Sequence, residues 1–493
     1  MKKKLLIGAL AALMVMPISV SVASAATSFS IGSPVATATK DWGKYSKYQY
    51  TTGGTNAQRA FIGEYDVKDL DDYEFVVHNV LKSDGTPKLQ TVKQIADNFP
   101  QTTGRKVVMA TNGDYFSFDT GVQVSALVKE GQVYSTWYTG GDTPKHDYGF
   151  DNKGNFAIGQ MKAVKEVVRV TVEGVTYEID VDKTNAVPAD GEVSLYTTAY
   201  QTSIPGTKKF KYQAGSDNLS DRPLSGTCKN MQASSALQES LTLNGGQFAL
   251  VTKGDSKAAQ FLTKYATYNT TCEIITAPSG DFTGMQYVVG GWEALVVDGV
   301  KQDTSKFHSS NSGSSLAPRT VVGNKADGSM FLLVCDGRGT YAGHSVSGLA
   351  DLAVNVGAEN ALEMDGGGSS TFWYDLGSGL QLLNTPSDGS QRSVSNAVLL
   401  VEKGEDAVEY TSVENWVAPG GSTSSGSNSS GSNLGSSETG SSETGSSAEE
   451  GSGCFGSVGF GSVGIFVAAA FVCAKALKNK ENKDGGNKDE QNV

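Results

Sequence analysis

Between residues 73 and 402 the apolar residues fall in short runs, each closed by Gly, Asn, Asp or Lys clusters, which is the pattern of strands joined by turns. Tyr73-Glu-Phe-Val-Val-His-Asn-Val-Leu81 alternates and predicts a strand, and Lys106-Val-Val-Met-Ala-Thr111 predicts a buried one. Two hairpins are expected. Val124–Val128 and Gln132–Tyr134 flank Lys129-Glu130-Gly131, and Tyr148–Phe150 and Phe156–Ile158 flank Asp151-Asn-Lys-Gly154. Short strands continue over Val164–Ile179, Ser194–Thr197, Ala294–Val297 (closed by Asp298-Gly299), Pro318–Gly323, Met330–Cys335 and Ala397–Val401. Short helices are expected over Lys93–Phe99 and over Ser347–Val356, where Leu349, Leu352, Ala353 and Val356 share a face. The expected fold class is therefore α+β: a β-rich domain of mixed sheets with a few short helices. Residues 27–72 read as an N-terminal extension, and residues 200–240, polar and irregular, as an insertion.

The two ends have a different grammar. Lys2, Lys3 and Lys4, the apolar stretch Leu5–Val22 and the small residues Ala23-Ser-Ala25 form a secretory signal, which places the mature chain outside the cytoplasm. Residues 418–453 are dominated by Ser and Gly, cannot bury a core, and read as a disordered stalk. Residues 454–477 are nearly uncharged and of the length that crosses a bilayer; the hydrophobic helix expected there is a transmembrane anchor or a sorting segment. Lys478, Lys480 and Lys483 follow and put the tail, residues 478–493, in the cytoplasm. The membrane is thus an expected partner, and the domain is expected on the extracellular face of a bacterial cell membrane.

Composition narrows the chemistry. A formal net charge of −12 disfavours nucleic acid, whose phosphates demand a basic surface. The four histidines, at 78, 146, 308 and 344, lack ligand spacing, and no calcium-loop pattern occurs, so neither a metal nor another cofactor is expected. Cys228 and Cys272 are candidates for a disulfide in an exported domain, with two buried thiols as the alternative.

Candidate chemistry lies where apolar runs end in Gly-flanked polar clusters: Asn112-Gly-Asp114, Arg319, Asp336-Gly-Arg338, Asp365-Gly-Gly-Gly-Ser-Ser370, and Arg392 with Asn396. Strand ends on one side of a β-rich domain are where sites are usually assembled. Three arginines suit an anionic group, because the guanidinium fork matches phosphate oxygens, and paired carboxylates suit glycoside cleavage.

These clusters, with Arg319-Thr-Val-Val-Gly323, Gly357-Ala-Glu-Asn-Ala-Leu-Glu-Met-Asp365 and Arg392-Ser-Val-Ser-Asn-Ala397, occur in an order that resembles the phosphodiester glycosidase family. The resemblance covers roughly residues 73–402. One departure is Asp114, where that family often has Gly. The resemblance implies hydrolysis of the bond between a sugar's anomeric carbon and a phosphodiester oxygen, with a glycan or phosphoglycan as substrate. It implies that Asp365 or Asp336 stabilises developing positive charge or activates water. Arg319, Arg338 and Arg392, the backbone of Gly366, Gly367 and Gly368, and the hydroxyls of Ser369 and Ser370 would bind the phosphate. Asn112, Asp114 and Asn396 would orient the substrate. Two other readings are a carbohydrate-binding adhesion module without turnover, and a transglycosylase in exopolysaccharide assembly.

Overall fold

The computed structural model describes residues 28–83, 85–136, 145–198, 202–203, 207–216, 218–229, 240–241, 243–307, 315–404 and 408–418. The stalk, the 454–477 segment, the N-terminal signal and His308 lie outside the described residues. Among those described, no helix is long and apolar enough to cross a membrane.

The Val-rich run is a strand, Val107–Asn112, with every residue buried. It is central in a five-stranded antiparallel sheet ordered Leu380–Leu382, Phe372–Asp375, Val107–Asn112, Ala397–Glu402 and Tyr73–His78. The first helix runs over Val92–Thr103, longer than its apolar spacing implies. A Thr91/Gln94 capping box starts it and Gly104, at φ +74°, stops it.

Facing this sheet is an eight-stranded antiparallel sheet. Its order is Ala36–Lys40, Gly43–Thr52, Asn56–Asp66, Ser329–Cys335, Arg319–Lys325, Ala358–Met364, Ala294–Val297 and Val300–Lys301. Residues 27–72 therefore supply three of its strands. They read as a polar extension because Gly43–Thr52 is rich in polar residues and leaves Lys44, Gln49 and Thr51 exposed. Phe61, Met109, Val322, Leu332, Phe372 and Leu399 fill the space between the two sheets. Each such buried side chain contributes about 1.5–3 kcal/mol. The helix Val346–Asn355, capped by Ser345, packs its Leu349, Leu352 and Ala353 with Ile62, Val321 and Phe331 of the eight-stranded sheet.

The two predicted hairpins form a five-stranded sheet with Tyr287–Gly290, and the first turns through Glu130 and Gly131, both at positive φ. A separate nine-stranded sheet contains Val164–Val172, Val175–Asp180, Val193–Tyr196 and Thr271–Pro278. It also contains Thr207–Ala214 and Leu224–Cys228, so the stretch read as an irregular insertion carries ladder strands in a core of its own. Beyond residue 402 the chain adds Glu409–Ser412 to the edge of this sheet and buries Trp416 in its core. Cys228 and Cys272 sit on neighbouring strands of that core as buried thiols not joined by a disulfide, which corrects the disulfide expectation. The Cys228 thiol donates to the Ala266 carbonyl at 3.4 Å, and burial beside Cys228 pushes the Cys272 thiol far up.

The architecture is thus β-rich with mixed strand pairing and three α-helices among the described residues, consistent with α+β.

Candidate active site

The glycine-rich segment is the crossing between the two facing sheets. The strand Ala358–Met364 belongs to the eight-stranded sheet and ends at Asp365; after a single turn of 3₁₀ helix, Gly367–Ser369, the chain enters the five-stranded sheet as Phe372–Asp375. Asn112, at the end of the central strand, pins this crossing. Its Nδ2 donates to the Asp365 carbonyl at 2.7 Å, and its Oδ1 accepts from Thr371 N at 3.2 Å and from the Thr320 hydroxyl at 3.0 Å. Ser370 lies buried with its hydroxyl 3.1 Å from that of Thr320. Asp365 N donates to Gly113 O, and Gly113 N donates to Asn396 O, both at 3.1 Å. Asn396 Oδ1 accepts from Asp114 N at 3.0 Å. Asn112 and Asn396 are fully buried, and what they hold is the backbone of the two loops carrying Asp114 and Asp365.

The three glycines meet the three arginines. A Cβ on Gly366 would stand 3.6 Å from Arg319 Cδ and 3.0 Å from Pro318 O. One on Gly367 would stand 3.0 Å from Arg338 Nη1, and one on Gly368 only 2.2 Å from Arg392 Nη2 and 2.0 Å from Asp388 Oδ2. Gly367 also needs its φ of +62°. The turn engages much of its own backbone: Gly367 N donates to Pro318 O at 2.9 Å, Ser369 N to Gly366 O and Ser370 N to Gly367 O. What the glycines provide is chiefly the missing Cβ, which lets guanidinium groups lie against the turn. Arg338 reaches it from a left-handed backbone, φ +61°, a conformation that for a non-glycine residue costs on the order of 1 kcal/mol and clusters at functional sites.

The carboxylates divide into two kinds. Asp336 is buried in an ion pair with Arg59 and accepts from Thr385 N at 2.7 Å. Arg59 also donates to the Thr385 hydroxyl at 2.7 Å and stacks 4.3 Å over Tyr341. Asn384, next to Thr385, accepts from Phe372 N and donates to Ser370 O, at 2.8 and 2.9 Å. Asp336 therefore anchors the loop that leads to Asp388 and Arg392. Asp365, by contrast, keeps some solvent contact. Burial pushes its carboxyl up to about 6, against the opposing pull of the Ser369 hydroxyl, Arg392 and Gly366 N–H.

Several residues around Asp365 carry no individual motif. Glu363, fully buried, pairs with Arg319 Nη1 at 2.9 Å, while Arg319 Nε donates to the His344 carbonyl at 3.0 Å. Burial pushes the Glu363 carboxyl up, with Glu293 adding to the rise and Arg319 and Tyr115 opposing it. Tyr115 packs edge-on against Trp292 at 5.1 Å, and Lys145 Nζ sits 4.0 Å over that indole. Asp114 accepts from Ser125 N at 2.7 Å; its carboxyl is pushed far up by burial, and the nearby Lys145 opposes this. The available signal was a charged residue inside an apolar run: Glu363 within Ala361-Leu-Glu-Met364, and Glu293 before Ala294–Val297. Among the described residues no group of three His, Cys, Asp or Glu side chains is placed to hold a metal ion.

Comparison with known proteins gives a family match over part of the chain. The model of the phosphodiester glycosidase family matches residues 226–401. No curated protein matches the chain. Among solved structures, a hypothetical protein from Synechocystis is 16% identical with a TM-score of 0.42. The match covers 73% of this chain and 62% of that one, so the chain spans less than two thirds of that relative. A Burkholderia pseudomallei protein described as exported is 17% identical, with 71% and 75% covered and a TM-score of 0.37. The zebrafish N-acetylglucosamine-1-phosphodiester alpha-N-acetylglucosaminidase catalytic domain, auto-inhibited by its pro-peptide, is 14% identical, with 76% and 86% covered and a TM-score of 0.34. The matched segment contains Glu293, Arg319, Asp336, Arg338, Glu363, Asp365 and Arg392 and leaves Asn112 and Asp114 outside it. Residues 226–401 thus resemble the phosphodiester glycosidase family, and this supports a glycosidase-type function.

Proposed function

We propose that the protein hydrolyses sugar-1-phosphodiester bonds, with the phosphate seated against the Gly366–Gly368 turn and Asp365 acting at the anomeric carbon. The observation that carries this reading is the approach of Arg319, Arg338 and Arg392 to three successive glycines beside a carboxyl poised at about 6. Arg338 and Arg392 hold phosphate oxygens; Arg319, paired with Glu363, shapes the wall behind them. The leaving group is a phosphomonoester with a second pKa of about 6, so it departs without strong general-acid help. Water adds to the anomeric carbon, the bond from that carbon to the phosphate oxygen breaks, and its electron pair leaves on the phosphate. As a carboxylate, Asp365 stabilises the oxocarbenium-like transition state or takes the proton of the attacking water. The anchoring of Asp336 by Arg59 and Thr385 favours Asp365 over Asp336 for this role. Asn112, Asn396, Asp114 and Ser370 act by holding the loops, and Ser369 by its effect on Asp365.

The leader, the Ser/Gly-rich stretch and the apolar segment 454–477 support a surface-tethered enzyme acting on envelope or host glycans. Release of free sugar from a glycosyl-1-phosphodiester by the purified chain, lost in Asp365→Asn, is the expected result. No release from any such substrate, with glycan binding equal in both proteins, would establish a binding module instead. Transfer to an added sugar acceptor in place of water would establish a transglycosylase.

A further inference from the structure

Resting on that reading of the site, we propose that Asp388 sets the charge of the anion accepted at the glycine turn, admitting a singly charged phosphodiester in preference to a doubly charged phosphomonoester. Arg392 donates through both Nε, at 3.0 Å, and Nη2, at 2.7 Å, to the same oxygen, Asp388 Oδ2. That oxygen and Arg392 Nη2 lie where a Cβ of Gly368 would stand, so an internal carboxylate occupies the face of the turn assigned to phosphate. Arg319 is likewise matched by Glu363. Arg338 forms no ion pair among the described residues, and its guanidinium lies against Gly367, the adjacent position of the same turn. Arg338 is thus the guanidinium of the three that has no carboxylate partner among the described residues, and with Asp365 beside Arg392 the turn carries little net positive charge, which suits the single charge of a phosphodiester better than a double one.

The pair is placed to yield without leaving. Both side chains are partly solvated, with exposures of 29% for Arg392 and 38% for Asp388, and pairs of this kind are weak. A phosphate oxygen displaces the carboxylate from Arg392 at little cost. Asp388 stays close, because it sits in a turn closed by Gly389 N to Pro386 O at 3.1 Å, on a loop anchored through Thr385 and Asn384. A second negative charge on the ligand then meets the displaced carboxylate. A phosphomonoester carries nearly two charges above its second pKa of about 6, and the proposed reaction produces one. Asp388 thereby disfavours the product as well as monoester competitors.

The test uses methyl phosphate and dimethyl phosphate, which differ by one charge and contain no glycosidic bond. Calorimetric titration of the full chain at about pH 8 would compare wild type with Asp388→Asn, and with Asp388→Ser should the first variant fold poorly. Methyl phosphate is expected to bind on the order of tenfold more tightly once the carboxylate is gone, the scale of one like-charge contact near a protein surface. Dimethyl phosphate, with half the charge, should tighten by no more than about threefold, the square root of that factor, and Arg392→Gln should weaken both. Equal tightening of both probes, no change in either, or no methyl phosphate binding by the Asp388 variants would overturn the inference. Because neither probe is hydrolysed at a sugar, the two readings fail separately. Charge selection without any glycosidase activity would sink only the proposed function, and activity without charge selection would sink only the role of Asp388.

Discussion

Asp365→Asn should sharply lower activity and stabilise the protein at the same time, and the pH dependence of both effects follows from one number. The Asp365 carboxyl rises from 3.8 to about 6, chiefly through burial. That difference corresponds to about 3 kcal/mol, an upper limit because the residue keeps some contact with water. Its sign is set by proton binding. Between 3.8 and about 6 the folded state holds a proton that the unfolded chain has released, so this contribution is complete below 3.8 and lost as pH rises through about 6. Asparagine does not titrate. The variant should therefore match wild type near pH 4 and melt higher at pH 7, by as much as about 3 kcal/mol, read by thermal unfolding across that range. Activity should move the other way. In wild type kcat/KM should climb through an apparent pKa near 6 and then level off, since the carboxylate is the active form and the phosphodiester does not change charge there. The asparagine variant should lose on the order of 10²–10⁴ in kcat/KM. A wild-type rate profile flat through 6, or a stability gain equal at pH 4 and pH 7, would refute the assignment.

Arg319→Gln leaves Glu363 without its guanidinium in a fully buried place and should cost about 3–5 kcal/mol, measured by thermal melting; Arg319→Met with Glu363→Leu should regain most of that loss. Asp336→Asn frees the loop anchored at Thr385, so phosphate affinity should fall several-fold while the apparent pKa of activity stays near 6; a shifted pKa would mean that Asp336 acts in the chemistry. Cys228, Cys272 and Cys335 are buried thiols without disulfides, so a thiol reagent should label them only in denaturant, and reductant should leave the melting temperature unchanged. Activity should survive EDTA, and loss with rescue by added metal would overturn the metal-free reading of the site.

The periodicity of the chain by itself determined most of the strands in residues 73–402, because a buried strand must be apolar along its length or on alternate residues. Met330–Cys335, Ala294–Val297 and Ala397–Val401 lie within or coincide with observed strands, and the turn at Asp298-Gly299 is where the spacing put it. The polar residues that end those strands were equally legible, since a charge is conspicuous after an apolar run. What the sequence lacked was any sign of partnership between distant residues. Arg59–Asp336, Arg319–Glu363 and Arg392–Asp388 divide the ionisable groups into anchored, matched and displaceable ones, and only the contact of the two sheets decides that division. Residues 36–66 were missed for a related reason. A strand that mixes polar side chains with its aromatics looks like a loop until the strands beside it are known. The glycines show the same limit: their run marks a special turn, but that they leave room for guanidinium groups is a property of what packs against them.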